Sequence, residues 1–240
     1  MPSTDRANEI VRFEDLWKIY YLASTSVPAL RSINLTIQQG EYIAIMGKSG
    51  SGKSTMLNVL GCLDRPTHGQ YCIGGQDVSI LSDNELSDVR SRKIGFVFQS
   101  FNLVQQLTIL ENIEVPLFYQ GTPRGLRRER SLELAEMVGL ADRANHRPRE
   151  LSGGQQQRVA IARALASDPL IILADEPTGN LDSATTREIL ALFDRLHDAG
   201  KTIIMVTHED DVAYHAHRTV VLADGLVVSD KSNESTGVRQ

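Results

Sequence analysis

The chain has 240 residues, 41% hydrophobic and 23% charged, enough to bury one substantial core as a single domain with a modest insertion. Its net charge of −5 leaves no basic excess to draw phosphate backbones, so no nucleic-acid partner is expected. Cys62 and Cys72 are the only cysteines, too few for a zinc site by themselves, and they point to buried or reduced thiols rather than a disulfide framework.

The opening MPSTDRANEIVRFEDL has neither a basic n-region nor an apolar h-region, so no signal peptide is expected. No run approaches the ~18 apolar residues of a membrane span, so work at a membrane would go through a partner. IVRFEDL and INLTI alternate in polarity and predict a small antiparallel sheet against a larger one. YIAIM (Tyr42 to Met46), IGFVF (Ile94 to Phe98), LIILA (Leu170 to Ala174) and TIIMVT (Thr202 to Thr207) are continuous apolar runs, the pattern of central strands covered on both faces. Helices are expected after Lys53, Ser152, Ser183 and Glu209. This alternation predicts an α/β domain with a largely parallel sheet.

Between Gln99 and Leu151 the character changes. TILENIEVPLFYQ and RRERSLELAEMVGL carry helical spacing with no strand between them, which predicts a helical insertion. PRGLRRER (Pro123 to Arg130) reads as its solvated face. His215 and His217 stand two apart on an expected helix, do not share a face, and suggest no metal site. The last stretch, DKSNESTGVRQ, is polar and reads as a mobile tail.

GKSGSGKST fits G-x-x-x-x-G-K-[ST] at Gly47, Gly52, Lys53 and Ser54, after a strand and opening a helix. Glycines let backbone N–H groups turn inward around phosphates, and the helix N-terminus adds positive dipole. Lys53 can reach the β- and γ-phosphates, and the Ser54 hydroxyl can ligate Mg²⁺. A nucleoside triphosphate is therefore the expected ligand. LIILADEPTGNLD ends an apolar strand with Asp175 and Glu176, at the crevice where α/β sheets bind ligands. Asp175 would hold Mg²⁺, through water, and Glu176 would orient an attacking water or take its proton.

A second glycine-rich helix start, LSGGQ at Leu151 to Gln155, has no lysine of its own. With it, the order Gly47–Thr55, Gln99, Leu151–Gln155, Asp175–Glu176, Asp182 and His208 resembles the ATP-binding cassette (ABC) ATPases from about residue 9 to residue 230. These are that family's Walker A, Q-loop, signature, Walker B, D-loop and H-switch.

The resemblance implies a P-loop NTPase cassette: an α/β fold with a mainly parallel core sheet, an N-terminal antiparallel β subdomain and a helical insertion. It implies one domain over 1–240, with core and β subdomain at about 9–98 and 160–229, a helical subdomain at about 100–159, and a flexible tail at 230–240. ATP and Mg²⁺ are the implied cofactors. Glu176, His208 and Lys53 are the implied catalytic residues; Ser54, Gln99 and Asp175 are implied at the metal. Nucleotide contacts are implied for Tyr20, Gly47, Lys48, Ser49, Gly50, Ser51, Gly52, Lys53, Ser54, Thr55, Gln99, Ser152, Gly153, Gly154, Gln155 and Asp182. Tyr20 takes the place that stacks on adenine, with Tyr21 as the alternative.

In the family the signature of one subunit faces the Walker A of another, so the resemblance also implies a head-to-tail homodimer with two ATPs between the subunits. FVFQSFNLVQQLTILENIEVPL, LSGGQQQRVAIARAL and LADEPTGNLDS are similar to the macrolide-exporter and lipoprotein-release branch. Such chains pair with an integral membrane permease subunit from the cytoplasmic face of the membrane. Their roles include export, lipoprotein release and mechanotransmission, or regulation of a membrane complex without a transported substrate. Beside Gln99, Phe101, Leu103 and Leu107 either supply apolar docking contacts or form internal core of the insertion.

Overall fold

The computed structural model describes residues 8–22 and 25–233. Strands β1 (Glu9–Leu22) and β2 (Thr25–Gln38) form a long antiparallel hairpin; with β4 (His68–Ile73) and β5 (Gln76–Asp77) they make a four-stranded sheet in the order β2-β1-β4-β5. Inward residues on β1 switch phase, from Val11 and Phe13 to Leu16. The pairing shifts between Phe13 and Leu16, where Asp15 takes a φ of 44°, so an extra residue is absorbed as a bulge and Leu16 still faces the core.

The second sheet has six strands: β3 (Tyr42–Met46), β6 (Ile94–Phe98), β7 (Ile171–Asp175), β8 (Thr202–Val206), β9 (Arg218–Ala223) and β10 (Leu226–Ser232). Their order is β10-β9-β3-β8-β7-β6, all parallel except the antiparallel edge strand β10. The fold is thus the expected α/β cassette, a parallel-rich core sheet beside an antiparallel N-terminal one.

The continuous apolar runs have a direct cause. Tyr42 and Ala44 enter one core and Ile43 and Ile45 the other; Ile172 and Ala174 oppose Ile171 and Leu173; Ile203 and Met205 oppose Ile204 and Val206. Alternate residues of each strand thus serve two cores, one per face. Helix α1 (Lys53–Leu60) and helix α2 (Asp83–Lys93) lie with the antiparallel sheet in the second core. The first core holds the inward faces of α3 (Ile109–Tyr119), α4 (Arg124–Met137), α5 (Gly153–Leu165) and α6 (Ser183–Asp198).

Several local expectations change. Leu103 is buried in the first core with Phe101 packed against it, so Leu103 belongs to the interior of the insertion, and Val104 is the exposed neighbour. The helix after Glu209 is short, α7 (Asp210–Ala213), and neither His215 nor His217 lies on it. His215 Nδ1 sits 3.2 Å from Asp194 Oδ2, and His217 meets His197 edge to face. Among the described residues no group of three or more His, Cys, Asp or Glu side chains is placed to hold a metal. Helix α5 runs unbroken across the expected subdomain limit at 159. Residues 230–232, expected in the tail, continue strand β10, and Asp230 pairs with Arg218 at 2.7 Å; the rest of the expected tail, 234–240, lies outside the described residues.

Candidate functional site

Strand β3 delivers the chain into a loop, residues 47–52, that ends in α1. Gly47 has a φ of 154°, and a Cβ there would come 2.4 Å from both Leu222 O and Ser51 Oγ. Gly52 has a φ of 107°, and a Cβ would lie 2.7 Å from Ala29 O. The glycines are therefore required by backbone shape and close approach together. No side chain caps α1, so its first N–H groups are left for a ligand. Lys53 Nζ donates to Gly47 O at 2.6 Å and Lys48 O at 3.0 Å, which holds the ammonium over the loop. Ser51 is buried, and its Oγ has no partner among the described residues.

Asp175 ends β7 and Glu176 follows it with a φ of 42°, a left-handed turn pinned by its N–H donating to Val206 O at 2.8 Å. From beyond β8, His208 Nδ1 reaches Glu176 Oε1 at 2.7 Å. Burial raises the Asp175 carboxyl above its ordinary value, Glu176 adds to this, and Lys53 opposes it. A cleft of about 1550 Å³ is lined by all of residues 47–55, Asp175, Glu176 and His208, with Ala29, Arg31 and the turn from Leu222 to Gly225. Ser54 and Asp175 put a hydroxyl and a disfavoured carboxylate on the same cleft, hard oxygen donors that fit Mg²⁺.

The other expected contacts do not line that cleft. The Gln99 amide faces the loop after Glu176: Asn180 Nδ2 donates to Gln99 O at 3.0 Å, and a Cβ on Gly179 would come 2.6 Å from Gln99 Nε2. The Tyr20 hydroxyl donates to Asp64 Oδ2 at 2.9 Å, while Tyr21 is 71% exposed. Burial, then the bond to Asp64, raises the Tyr20 phenol.

Ser152 caps α5 reciprocally with Gln155. Ser152 Oγ accepts from Gln155 N at 3.3 Å, and Gln155 Oε1 accepts from Ser152 N at 3.0 Å. Gly154 stands against α6, where a Cβ would come 2.3 Å from Thr185 Cγ2; Gly153 lies beside Leu181. Asp182 caps α6, accepting from Ala184 N and Thr185 N, each at 3.0 Å, and from Thr185 Oγ1 at 2.7 Å. The Thr185 bonds chiefly lower its carboxyl.

Sequence reasoning passed over three side chains that shape this region. Arg163 donates to Phe101 O at 2.9 Å and Asn102 O at 2.6 Å, holding two consecutive left-handed residues just after Gln99. Gln157 bonds to Pro177, and Thr185 bonds to Asp182. The only signal for Gln157 was a polar residue on the inward face of an expected helix.

Comparison with known proteins agrees with the geometry. The ABC transporter family matches residues 30–179. A Thermotoga maritima protein described as an uncharacterized ABC transporter ATP-binding protein is 55% identical over 219 residues, 91% of this chain and 94% of its own. YvrO of Bacillus subtilis, described in the same terms, is 51% identical over 94% of this chain and 98% of its own. The macrolide export ATP-binding/permease protein MacB of Chlorobium phaeobacteroides is 51% identical over 93% of this chain, which spans only 34% of that longer protein. Among solved structures, dimeric MJ0796, a bacterial ABC transporter cassette, matches with a TM-score of 0.83 and 48% identity, over 92% of this chain and 98% of its own. A dimeric post-hydrolysis state of MJ0796 bound to ADP and Pi matches equally. This chain belongs to the ABC transporter family, as an ATP-binding and ATP-hydrolysing cassette.

Proposed function

We propose that the chain is the ATPase subunit of a transporter that dimerises head to tail on ATP and drives an integral membrane permease in export, lipoprotein release or mechanotransmission. The observation that carries this reading is the partition of the site. Residues 47–55, Asp175, Glu176 and His208 share one cleft, whereas Ser152 and the start of α5 lie outside it. A second copy offers the missing half: the partner's Ser152, with the N–H groups of Gly153 and Gly154 behind it, suits γ-phosphate oxygens.

In each site Lys53 and the loop N–H groups hold the β- and γ-phosphates, and Tyr20 stacks on adenine. Ser54 and Asp175, which share the cleft, would hold Mg²⁺ with Gln99 joining from outside it, and the ion would neutralise phosphate charge. Glu176 orients the attacking water and takes its proton, with His208 fixing the Glu176 carboxylate and contacting the γ-phosphate. Losing the γ-phosphate removes what joins the subunits, and the dimer opens. No helix among the described residues is long and apolar enough to cross a membrane. In this reading the cassette sits on the cytoplasmic face through its permease, a pairing that the MacB relatives name within one chain.

Glu176→Gln tests the reading. With Mg-ATP the variant should run as a dimer on size exclusion with light scattering and hydrolyse almost nothing; a monomer at saturating Mg-ATP would rule the sandwich out.

A further inference from the structure

Gln157 is fully buried on α5, one turn beyond the Ser152 cap. Its Nε2 donates to the carbonyl oxygen of Pro177, the residue after Glu176, at 2.5 Å. Its Oε1 has no hydrogen-bond partner among the described residues. An apolar side chain of similar shape would trade the unmade Oε1 acceptor for an unbonded Pro177 carbonyl, so the bond is close to neutral for the fold. Stability therefore does not explain the glutamine, whereas the bond it makes to the Glu176 turn does.

Other contacts join the same two segments. Gly154 abuts the Thr185 methyl, and the Thr185 hydroxyl holds Asp182. Between them the loop is bound to itself, Gly179 N donating to Glu176 O at 3.1 Å and Leu181 N to Thr178 O at 3.0 Å. The stretch 176–185 and the first turns of α5 are thus fastened at both ends.

We infer that Gln157 is a positioning residue that ties the signature helix to the Glu176 turn of its own chain and so couples two hydrolysis sites. The inference rests on the dimer reading above. There Ser152 serves the partner's ATP while Glu176 serves the ATP in its own cleft. A displacement of α5 on engaging the partner's triphosphate reaches Pro177 through the Gln157 amide, and resets the left-handed turn that aims Glu176.

The test uses the full chain. Gln157→Met keeps the unbranched length without the amide. In Gln157→Met, kcat should fall about tenfold and the Hill coefficient of hydrolysis should drop from about 2 towards 1. ATP affinity and melting temperature should stay at the parent's values. Where Gln157→Met loses melting temperature, hydrolysis is read at a temperature at which that variant is fully folded, with the same fall in Hill coefficient expected. A Hill coefficient unchanged in folded Gln157→Met overturns the inference. Glu176→Gln separates the two readings: a chain that stays monomeric with Mg-ATP sinks the dimer, whereas a dimer with an unchanged Hill coefficient in Gln157→Met sinks only the coupling.

Discussion

His208 Nδ1 stands 2.7 Å from Glu176 Oε1 and joins the ends of two neighbouring parallel strands, β7 and β8, across the mouth of the cleft. The imidazole limits where the carboxylate can point, and the left-handed turn at Glu176 limits it from the backbone side. His208→Ala should therefore lower kcat by about 10²-fold while leaving ATP affinity near the parent's. Phosphate release and equilibrium nucleotide binding measured on one preparation check the split; a comparable loss of affinity would make His208 a binding residue instead.

Gly154 and Thr185 predict a stability effect that can be reversed. A methyl at 154 lands 2.3 Å from Thr185 Cγ2, a β-branched side chain already held by its bond to Asp182. Gly154→Ala should destabilise by about 1–3 kcal/mol. Thr185→Ser in the same chain removes the clashing methyl, keeps the hydroxyl, and should restore most of the loss. Urea unfolding of the four chains checks this, and simple additivity would show that the strain lies elsewhere.

Asp175 gives a pH signature. Its carboxyl is raised by burial first and by Glu176 second, with Lys53 opposing, so the folded chain keeps this proton at a pH where the unfolded chain has released it. Its contribution to stability is therefore complete below the unfolded value and declines as pH rises to the folded one. Asp175→Asn removes that titration. The nucleotide-free variant should melt a few degrees above the parent at neutral pH, and the gap should close on acidification towards the ordinary Asp value of 3.8. Added Mg-ATP should stabilise the variant no more than ATP with a chelator does. Calorimetry across this range reads both.

The two neighbouring tyrosines can be told apart. Tyr20→Ala should weaken ATP binding by about tenfold, as the loss of one base–aromatic stack does. Tyr20→Phe, which keeps the ring and loses the hydroxyl's bonds to Asp64 and Thr55, should bind nearly as the parent does, and Tyr21→Ala should bind unchanged. Fluorescent-nucleotide titration decides it; a loss confined to Tyr21→Ala would reassign the stack.

The strands were legible because both faces of the sheet are buried, so Tyr42 to Met46 and Thr202 to Val206 read as unbroken apolar runs. The glycine loop was legible because its spacing is its geometry. Helix α2 was not, since only Leu86 and Val89 of its residues are buried, too thin a stripe to show periodicity. Its Ser82–Glu85 capping box was the signal available. Leu103 was ambiguous because an apolar residue after a strand serves a groove or a core equally well, and only the packing of α3 and α5 decides. The partners of Gln99 and Gln157 were hidden for another reason: Asn180 lies 81 residues from Gln99, and no local pattern records that meeting.

Strand β10 borders the six-stranded sheet. Its first residue follows Gly225 of the cleft rim, and its seven residues at about 3.3 Å each carry the chain roughly 20 Å away, to Asn233, whose N–H donates to His217 O. Sequence joined after that point departs from a sheet border, well clear of the nucleotide loop. The same cassette nearly fills some relatives and makes up about a third of others.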